Sequence, residues 1–449
     1  MAFHFDSAAL GGLAEVATGW SLTGAELAAK VETRTAALAA QGIGTGSRVL
    51  LARRASIAFV TDLLAVWRLG GLAAPVTPSQ TAPEHAELLA RFAPNLVIGE
   101  EDEIRIDGRP AAPGDALVLF TSGTTGTPKG VVLTANALSA RLAANNAHIP
   151  AEQRQSALCL LPASFGHGLI GGILTPLLGG GTVHLWPSPS LPELPRLPGV
   201  IAEREIGFLT SVPTFWHLVR RLDLPRPPPL VRVHIGSAPL DPGLADWVRA
   251  WAGTGEIWDM YGLTETANWA AGGRIGDGYT PWQGKAAVLS ESGVADHGEG
   301  EVLVQTEAAM RGYLDDPAAT EAAFHAGWIR TGDLGRVEHG RITLTGRIKT
   351  QVNRGGLKIS PEAVERVALA CPGVSAALAF GYPDPVAGEG LAIALTGPSE
   401  GLIDAARSWM RARLMAEHFP DRWFHLEALP LTDRGKPDRE AARRLTLGL

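Results

Sequence analysis

Residues 121–130 read TSGTTGTPKG, placing three glycines, five hydroxyl side chains (Thr121, Ser122, Thr124, Thr125, Thr127) and Lys129 within ten positions. Glycine lets successive backbone N–H groups converge on one point, hydroxyls add neutral donors, and the ammonium adds charge. A loop so composed cradles an anion such as a polyphosphate. It is not a Walker A loop, which needs G-x-x-x-x-G-K followed by Ser or Thr and a helix opening on the lysine. Here the flanks, ALVLF (116–120) and GVVL (130–133), are short apolar runs that predict strands on both sides. A second lysine, Lys436 in LPLTDRGKPDR (429–439), stands beside Gly435 in a loop sequence suited to extending a charge beyond its own domain. A lysine without such context is ordinarily just a solvated surface group.

The elements that carry these loops alternate. Thr23 with Glu26 predicts a capping box, after which Leu27, Val31 and Leu38 share a helical face. SRVLLA (47–52), LAAPV (72–76), NLVI (95–98) and ALVLF are strand-like, and IAFVTDLLAVWRLG (57–70) has helical length. Strands separated by helices of this size predict a parallel α/β layering. PRPPPL (225–230) reads as a surface loop. Near residue 347 the texture changes. GRIKTQVNRGGLK (346–358) is polar, and Ser360–Pro361–Glu362 is a helix start with Ser at the cap and Pro at the first position. VSAALAF (374–380), LAIALT (391–396) and WFHLEAL (423–429) read as strands around a helix at about 401–417. This predicts a separate α+β unit of about 100 residues behind a short linker.

Composition narrows the class. The chain has 449 residues, 46% of them apolar, and a net charge of −7. The mild acidic excess argues against a nucleic-acid protein. Two cysteines, Cys159 and Cys371, can build neither a disulfide framework nor a cysteine-based zinc site, which points to a reducing, cytoplasmic setting. The N-terminus lacks the basic start and apolar run of a signal peptide. Residues 155–192 carry no Asp, Glu, Lys or Arg over 38 positions. Their longest helical stretch, LIGGILTPLLGGG, is 13 residues, well short of the ~20 a bilayer needs. A buried helix and strand are expected there, with no membrane span.

Six segments resemble, in order, the signatures of the adenylate-forming superfamily of acyl-CoA synthetases, adenylation domains and luciferases. They are TSGTTGTPKG, GSAPL (236–240), YGLTET (261–266), TGDLG (331–335), GRIKTQVNRGGLKISP (346–361) and LPLTDRGKPDR. The resemblance implies an α/β fold: a large N-terminal domain of layered sheets and helices (1–346), a hinge (347–350) and a small mobile α+β C-terminal domain (351–449). It implies attack of a carboxylate on the α-phosphorus of ATP with release of pyrophosphate, then transfer of the acyl group to the thiol of CoA. Thr121, Ser122, Gly123, Thr124, Thr125 and Lys129 would hold the β- and γ-phosphates. Glu265 would ligate Mg²⁺ and Thr264 would bond the α-phosphate. Tyr261 would stack on adenine opposite the backbone of Gly236, Ser237, Ala238 and Pro239. Asp333 would accept from the ribose hydroxyls with support from Arg347. Lys436 would bridge carboxylate and α-phosphate, Lys349 would be the hinge, and Gly355 and Gly356 would flank the pantetheine tunnel. Between the two half-reactions the C-terminal domain of such enzymes rotates, a hinge transition that withdraws the lysine.

The chain is shorter than is usual for the family, with the shortening between 76 and 115 and between 266 and 300, while the chemical motifs persist. LPASFGHGLIGG (161–172) resembles the substrate-gating stretch. Amino-acid-activating members place an Asp near 166–167, where this chain has Gly166 and His167. A bare aryl or short alkyl acid is therefore expected. Phe165, His167, Gly168, Val212, Phe215, Trp216, Ser237 and Trp269 are the expected pocket walls, aromatic groups that suit a flat or apolar acyl chain. Two alternatives stand beside the acid–CoA ligase. One is a stand-alone adenylating enzyme that loads the phosphopantetheine of an acyl-carrier protein or makes an amide. The other is an inactive binding scaffold, against which the retention of Glu265, Asp333, Arg347 and Lys436 argues.

Overall fold

A computed structural model of the chain describes residues 3–448 apart from 79, 81, 122–128, 239, 355–356, 385–387, 399, 415 and 433–434. The chain divides into two compact units, Met1–Lys285 with Val304–Ile329, and Ala286–Leu303 with Arg330–Leu449.

In the first unit the capping box is present: the Glu26 N–H donates to Thr23 Oγ1 (3.3 Å) and the Thr23 N–H donates to the Glu26 carboxylate (2.8 Å). It opens the helix Gly24–Ala40, whose Leu27, Val31 and Leu38 are fully buried. The helix Ile57–Arg68 is buried on every side from Phe59 to Trp67, the signature of an internal layer. Its Phe59 and Leu63 share one apolar cluster with Leu13 and Val183 of one sheet and Val49 and Leu117 of another.

Among the described residues the first of these sheets has nine strands. Its centre is parallel, running through Ile257–Leu263, Arg232–Gly236, Phe208–Ser211, Ser156–Cys159, Thr182–Leu185 and Leu13–Glu15. The other has seven, with Leu96–Ile98, Arg48–Leu51, Leu72–Pro75 and Asp115–Thr121 parallel and Lys129–Thr134 antiparallel to the last. The expected parallel layering is thus observed, with antiparallel strands at the edges. The charge-free segment forms a strand, a π-helix (His167–Leu174), a helical turn (Thr175–Leu178) and a strand, nearly all buried. No described helix is long and apolar enough to cross a membrane.

In the second unit the paired stretches Asp333–Glu338 and Arg341–Arg347 precede a sheet built from Val352–Arg354, Leu357–Ile359, Ala376–Asp384, Gly388–Thr396 and Arg422–His425. Ser360 caps the helix Pro361–Leu369, accepting from the Ala363 N–H at 3.3 Å, with Pro361 at its first position as expected. The helix expected over 401–417 spans only Leu402–Arg411. It stops because Leu414 and Phe419 turn back onto the cluster holding Met410, and the N–H groups of Arg413 and Leu414 both close on the Met410 carbonyl. The chain passes between the units at Lys285/Ala286, Leu303/Val304 and Ile329/Arg330.

Candidate active site

Thr121 ends one strand of the seven-stranded sheet and Lys129 begins its antiparallel partner, the two being cross-strand neighbours. The Thr121 hydroxyl donates to the Lys129 carbonyl at 3.3 Å. Lys129 therefore stands on a strand, with no helix behind it. Ser122, Gly123, Thr124 and Thr125 lie outside the described residues. Also within the first unit, Glu265 sits in the tight turn Thr264–Thr266 beside Thr264. Thr266 fixes this turn: its Oγ1 accepts from the Leu263 N–H (3.2 Å) and contacts the carbonyls of Leu263 and Asn268. The backbone then passes through two left-handed residues, Ala267 (φ 50°) and Asn268 (φ 85°). Non-glycine residues held there carry strain of the kind that gathers at functional sites.

One residue absent from the expectations joins these pieces. Tyr313 donates its hydroxyl to Glu265 Oε1 at 2.7 Å, and the Lys129 ammonium lies 4.7 Å from the centre of its ring. Burial and the Glu265 carboxylate push the phenol above its ordinary pKa, so it remains a donor at neutral pH. A single aromatic ring thus holds a cation on its face and a carboxylate at its tip. Its strand, Gly312–Tyr313, pairs with Lys129–Thr134, with Tyr313 opposite Val131. The only trace in sequence is the GY pair of MRGYLDD (310–316), 48 positions from Glu265.

Gly236 closes the strand Arg232–Gly236, and Ser237 follows with φ 72°. Ala238 continues this turn, and Pro239 lies outside the described residues. Tyr261 lies on the neighbouring strand, its ring 5.4 Å from that of Tyr279. The Tyr279 hydroxyl donates to Asp259 Oδ2 at 2.8 Å. Burial raises the Asp259 carboxyl to about 7, against the lowering effect of that bond.

The expected acid-pocket residues separate into two groups. Phe165, His167, Ser237 and Trp269 converge. A ring nitrogen of His167 lies 3.2 Å from Ser237 Oγ, and its ring stands edge-on to Trp269 at 5.3 Å and 6.2 Å from Phe165. A Cβ added to Gly236 would meet the Met260 carbonyl oxygen at 2.9 Å and His167 Cε1 at 3.0 Å, so glycine lets both the neighbouring strand and the histidine close on this position. Gly168 is a packing position, since a Cβ there would stand 2.3 Å from the Pro162 carbonyl oxygen. Val212 and Phe215 lie at the start of the helix Pro213–Arg221, half-buried. Trp216 is placed in the core. It is fully buried, 5.5 Å from Trp251, and donates to Ser211 Oγ at 2.7 Å. Its packing accounts for it without a ligand.

In the second unit Asp333 and Arg347 are cross-strand partners, and Arg347 Nε donates to Asp333 Oδ1 at 2.6 Å. Asp333 is buried within its strand, just before a register slip at Leu334/Gly335, a bulge of the kind that re-aims side chains beside sites. Lys436 ends a tight turn. Its carbonyl accepts from the Thr432 N–H (2.7 Å), its N–H donates to Thr432 Oγ1 (3.2 Å), and Gly435 takes φ 71°. Asp438 then caps the helix Arg439–Leu447. Arg439 anchors that helix to Glu362 (3.1 Å) and Glu365 (2.7 Å), and Thr350 donates to the same Glu362 at 2.7 Å. Lys349 lies in the turn Ile348–Thr350, its side chain outside the description, as are Gly355 and Gly356.

The sequence profile of the AMP-binding enzyme family matches residues 4–113 and 100–314. The chain is 30% identical to a probable CoA ligase, CCL9, of Humulus lupulus, over 93% of this chain and 90% of that protein. It is 28% identical to an oxalate–CoA ligase of Arabidopsis thaliana, over 94% and 92% respectively. Among solved structures, the amide bond synthetase McbA of Marinactinospora thermotolerans superposes with a TM-score of 0.84 at 25% identity, covering 98% of each chain.

Proposed function

The chain belongs to the AMP-binding enzyme family, and on that premise we propose that it is an AMP-forming acid–CoA ligase acting on an aryl or short alkyl carboxylic acid. The observation that carries this is the Lys129–Tyr313–Glu265 arrangement. It joins an ammonium and a carboxylate through one aromatic ring, next in the chain to the glycine- and hydroxyl-rich segment 122–128, and so supplies the charges that the tail of a metal-bound nucleoside triphosphate requires.

In the first step a carboxylate oxygen bonds to the α-phosphorus, and the bond from that phosphorus to the bridging oxygen breaks, releasing pyrophosphate. Thr121, Ser122, Gly123, Thr124, Thr125 and Lys129 donate to the departing phosphates, and Thr264 donates to the α-phosphate. Glu265 suits Mg²⁺, a hard ion that takes one or two carboxylates and keeps its waters, and which would neutralise charge on the phosphates. Tyr261 and the 236–239 backbone enclose the adenine, and Asp333, oriented by Arg347, accepts from the ribose. Lys436 spans the carboxylate and the α-phosphate. In the second step the CoA thiolate bonds to the acyl carbon, the bond to AMP breaks, and the thiol proton passes to water. Gly355 and Gly356 flank the thiol's path, and Lys349 is the pivot between the two arrangements. The two cysteines are buried and unpaired, in keeping with a cytoplasmic setting.

Two variants probe these roles. Tyr313→Phe keeps the ring under Lys129 but removes the donor to Glu265. We expect roughly a 3- to 10-fold fall in kcat/KM for adenylation, about what one ordinary intramolecular hydrogen bond contributes net, with a higher Mg²⁺ requirement in a titration at fixed ATP. An unchanged Mg²⁺ dependence would remove Tyr313 from the site. Lys349→Pro should leave pyrophosphate exchange near wild type while slowing thioester formation at least about tenfold, read by single-turnover quench. Equal loss of both steps would argue against a hinge there.

The proposal is tested by incubating the protein with ATP, Mg²⁺ and a panel of carboxylic acids, with and without CoA, and following AMP and thioester. Thioester formation with free CoA supports it. The amide bond synthetase likeness gives a second reading, in which an amine or a carrier-protein thiol is the acceptor. Adenylate formation that turns over only with those acceptors would select it.

A further inference from the structure

Beneath the converging acid-pocket residues lies a set of buried polar atoms that the adenylation chemistry does not use. His234 is fully buried on the strand Arg232–Gly236, two residues before Gly236 and so on the same face. Arg232 Nε donates to His234 Nε2 at 2.7 Å. A guanidinium only donates, so Nε2 must accept and the ring proton must sit on Nδ1. Burial and the Arg232 charge hold the ring well below its ordinary pKa, hence neutral. That Nδ1–H has no hydrogen-bond partner among the described residues.

It is not alone. Thr210 is the cross-strand partner of His234 and is fully buried, and its Oγ1 is likewise unpartnered among the described residues. So is Nε1 of Trp269, 2% exposed, whose ring lies 4.6 Å from that of His234. Two glycines of the π-helix, Gly171 and Gly172, pack directly against these groups. A Cβ on Gly172 would stand 2.7 Å from Thr210 Oγ1, and one on Gly171 would stand 2.4 Å from the Trp269 ring and 2.8 Å from the unpartnered Asn268 Nδ2. Polar groups buried without partners are costly and call for a ligand or an ordered water. π-Helical turns are themselves frequent at functional sites.

We propose that the acid accepted by this enzyme carries a second acceptor oxygen, of a ketone, carboxylate or sulfonate, on a spacer of a few carbons. That oxygen ends on His234 Nδ1–H, Thr210 Oγ1–H and Trp269 Nε1–H. This rests on the adenylation reading and narrows its substrate class. His234 lies about 7 Å along the strand from Gly236 at the usual rise per residue, which suits an acid of five or six carbons. Arg232 acts through His234 as a positioning residue, fixing the tautomer that donates.

The test uses matched acids in ATP–pyrophosphate exchange: pentanoate against 4-oxopentanoate, hexanoate against 5-oxohexanoate, and succinate and glutarate beside them. The wild type should prefer the acceptor-bearing partner by at least about tenfold in kcat/KM, because a site built around donors rejects analogues that leave them unpaired. Thr210→Val and, independently, Trp269→Phe should each shrink that ratio several-fold, chiefly through KM. Equal or better use of the plain acids, or a ratio untouched in both variants, would overturn the inference and assign the buried atoms to water. Absence of exchange with every acid would overturn the adenylation reading instead.

Discussion

Lys436→Ala lowers the rate of adenylate formation by about 10³-fold and leaves thioester formation from supplied acyl-adenylate within a few-fold of wild type. The magnitude follows from charge. An ammonium about 4 Å from an anion at an effective dielectric of ~20 contributes on the order of 4 kcal/mol, and each ~1.4 kcal/mol is tenfold in rate. The separation of the two steps follows from the chemistry. Pyrophosphate departure needs a cation between the carboxylate and the α-phosphate, whereas AMP leaves an acyl-adenylate readily. The variant should remain folded, because the turn that presents Lys436 is held by backbone bonds to Thr432 and by the Asp438 cap. Arg439, anchored to Glu362 and Glu365, is untouched. Matched losses in both half-reactions, with an unchanged melting temperature, would refute a first-step role.

Glu265→Gln should reduce adenylation by about 10²-fold and raise the Mg²⁺ concentration needed for half-maximal rate. The amide keeps an acceptor for the Tyr313 hydroxyl but loses the charge that a hard cation requires. A charged hydrogen-bond or metal contact of this kind contributes roughly 1.5–3 kcal/mol, hence the two orders of magnitude. The measurement is a Mg²⁺ titration of pyrophosphate exchange at saturating acid. A variant with wild-type Mg²⁺ dependence and only a lowered melting temperature would mean that Glu265 braces the turn and does not ligate metal. Tyr313→Phe should move the same titration in the same direction by less, since it withdraws an orienting bond and leaves the carboxylate.

What could be read from the sequence follows the contiguity of each feature. The segment 121–130, the YGLTET turn and the capping box each lie within a few residues, so local spacing carries them. The strands Asp115–Thr121 and Lys129–Thr134 and the Thr23–Glu26 bonds agree with it. Parallel layering was legible because the apolar runs are short, buried and separated by helix-length stretches. Tyr313 was not, because its partnership with Glu265 spans 48 positions and depends on a two-residue strand pairing back onto the strand Lys129–Thr134. Which of the expected pocket aromatics lie together was not legible. Trp216 and Trp269 are alike as residue types and both deeply buried, yet one packs on Trp251 in the core and the other meets His167. Only the direction in which each side chain leaves its element distinguishes them. The Arg232–His234 pair is two residues apart on a strand, so its shared face was implicit. The fixed tautomer and the missing partner emerge only from three dimensions.

Exchange of radiolabelled pyrophosphate into ATP measures the first half-reaction alone, without regard to the acceptor that follows. With Mg²⁺ and a short acid bearing a second acceptor oxygen, the purified protein should show acid-dependent exchange that Lys436→Ala abolishes. Acid-independent exchange, or none across alkyl, aryl and oxo acids alike, would contradict the assignment of this site to carboxylate adenylation.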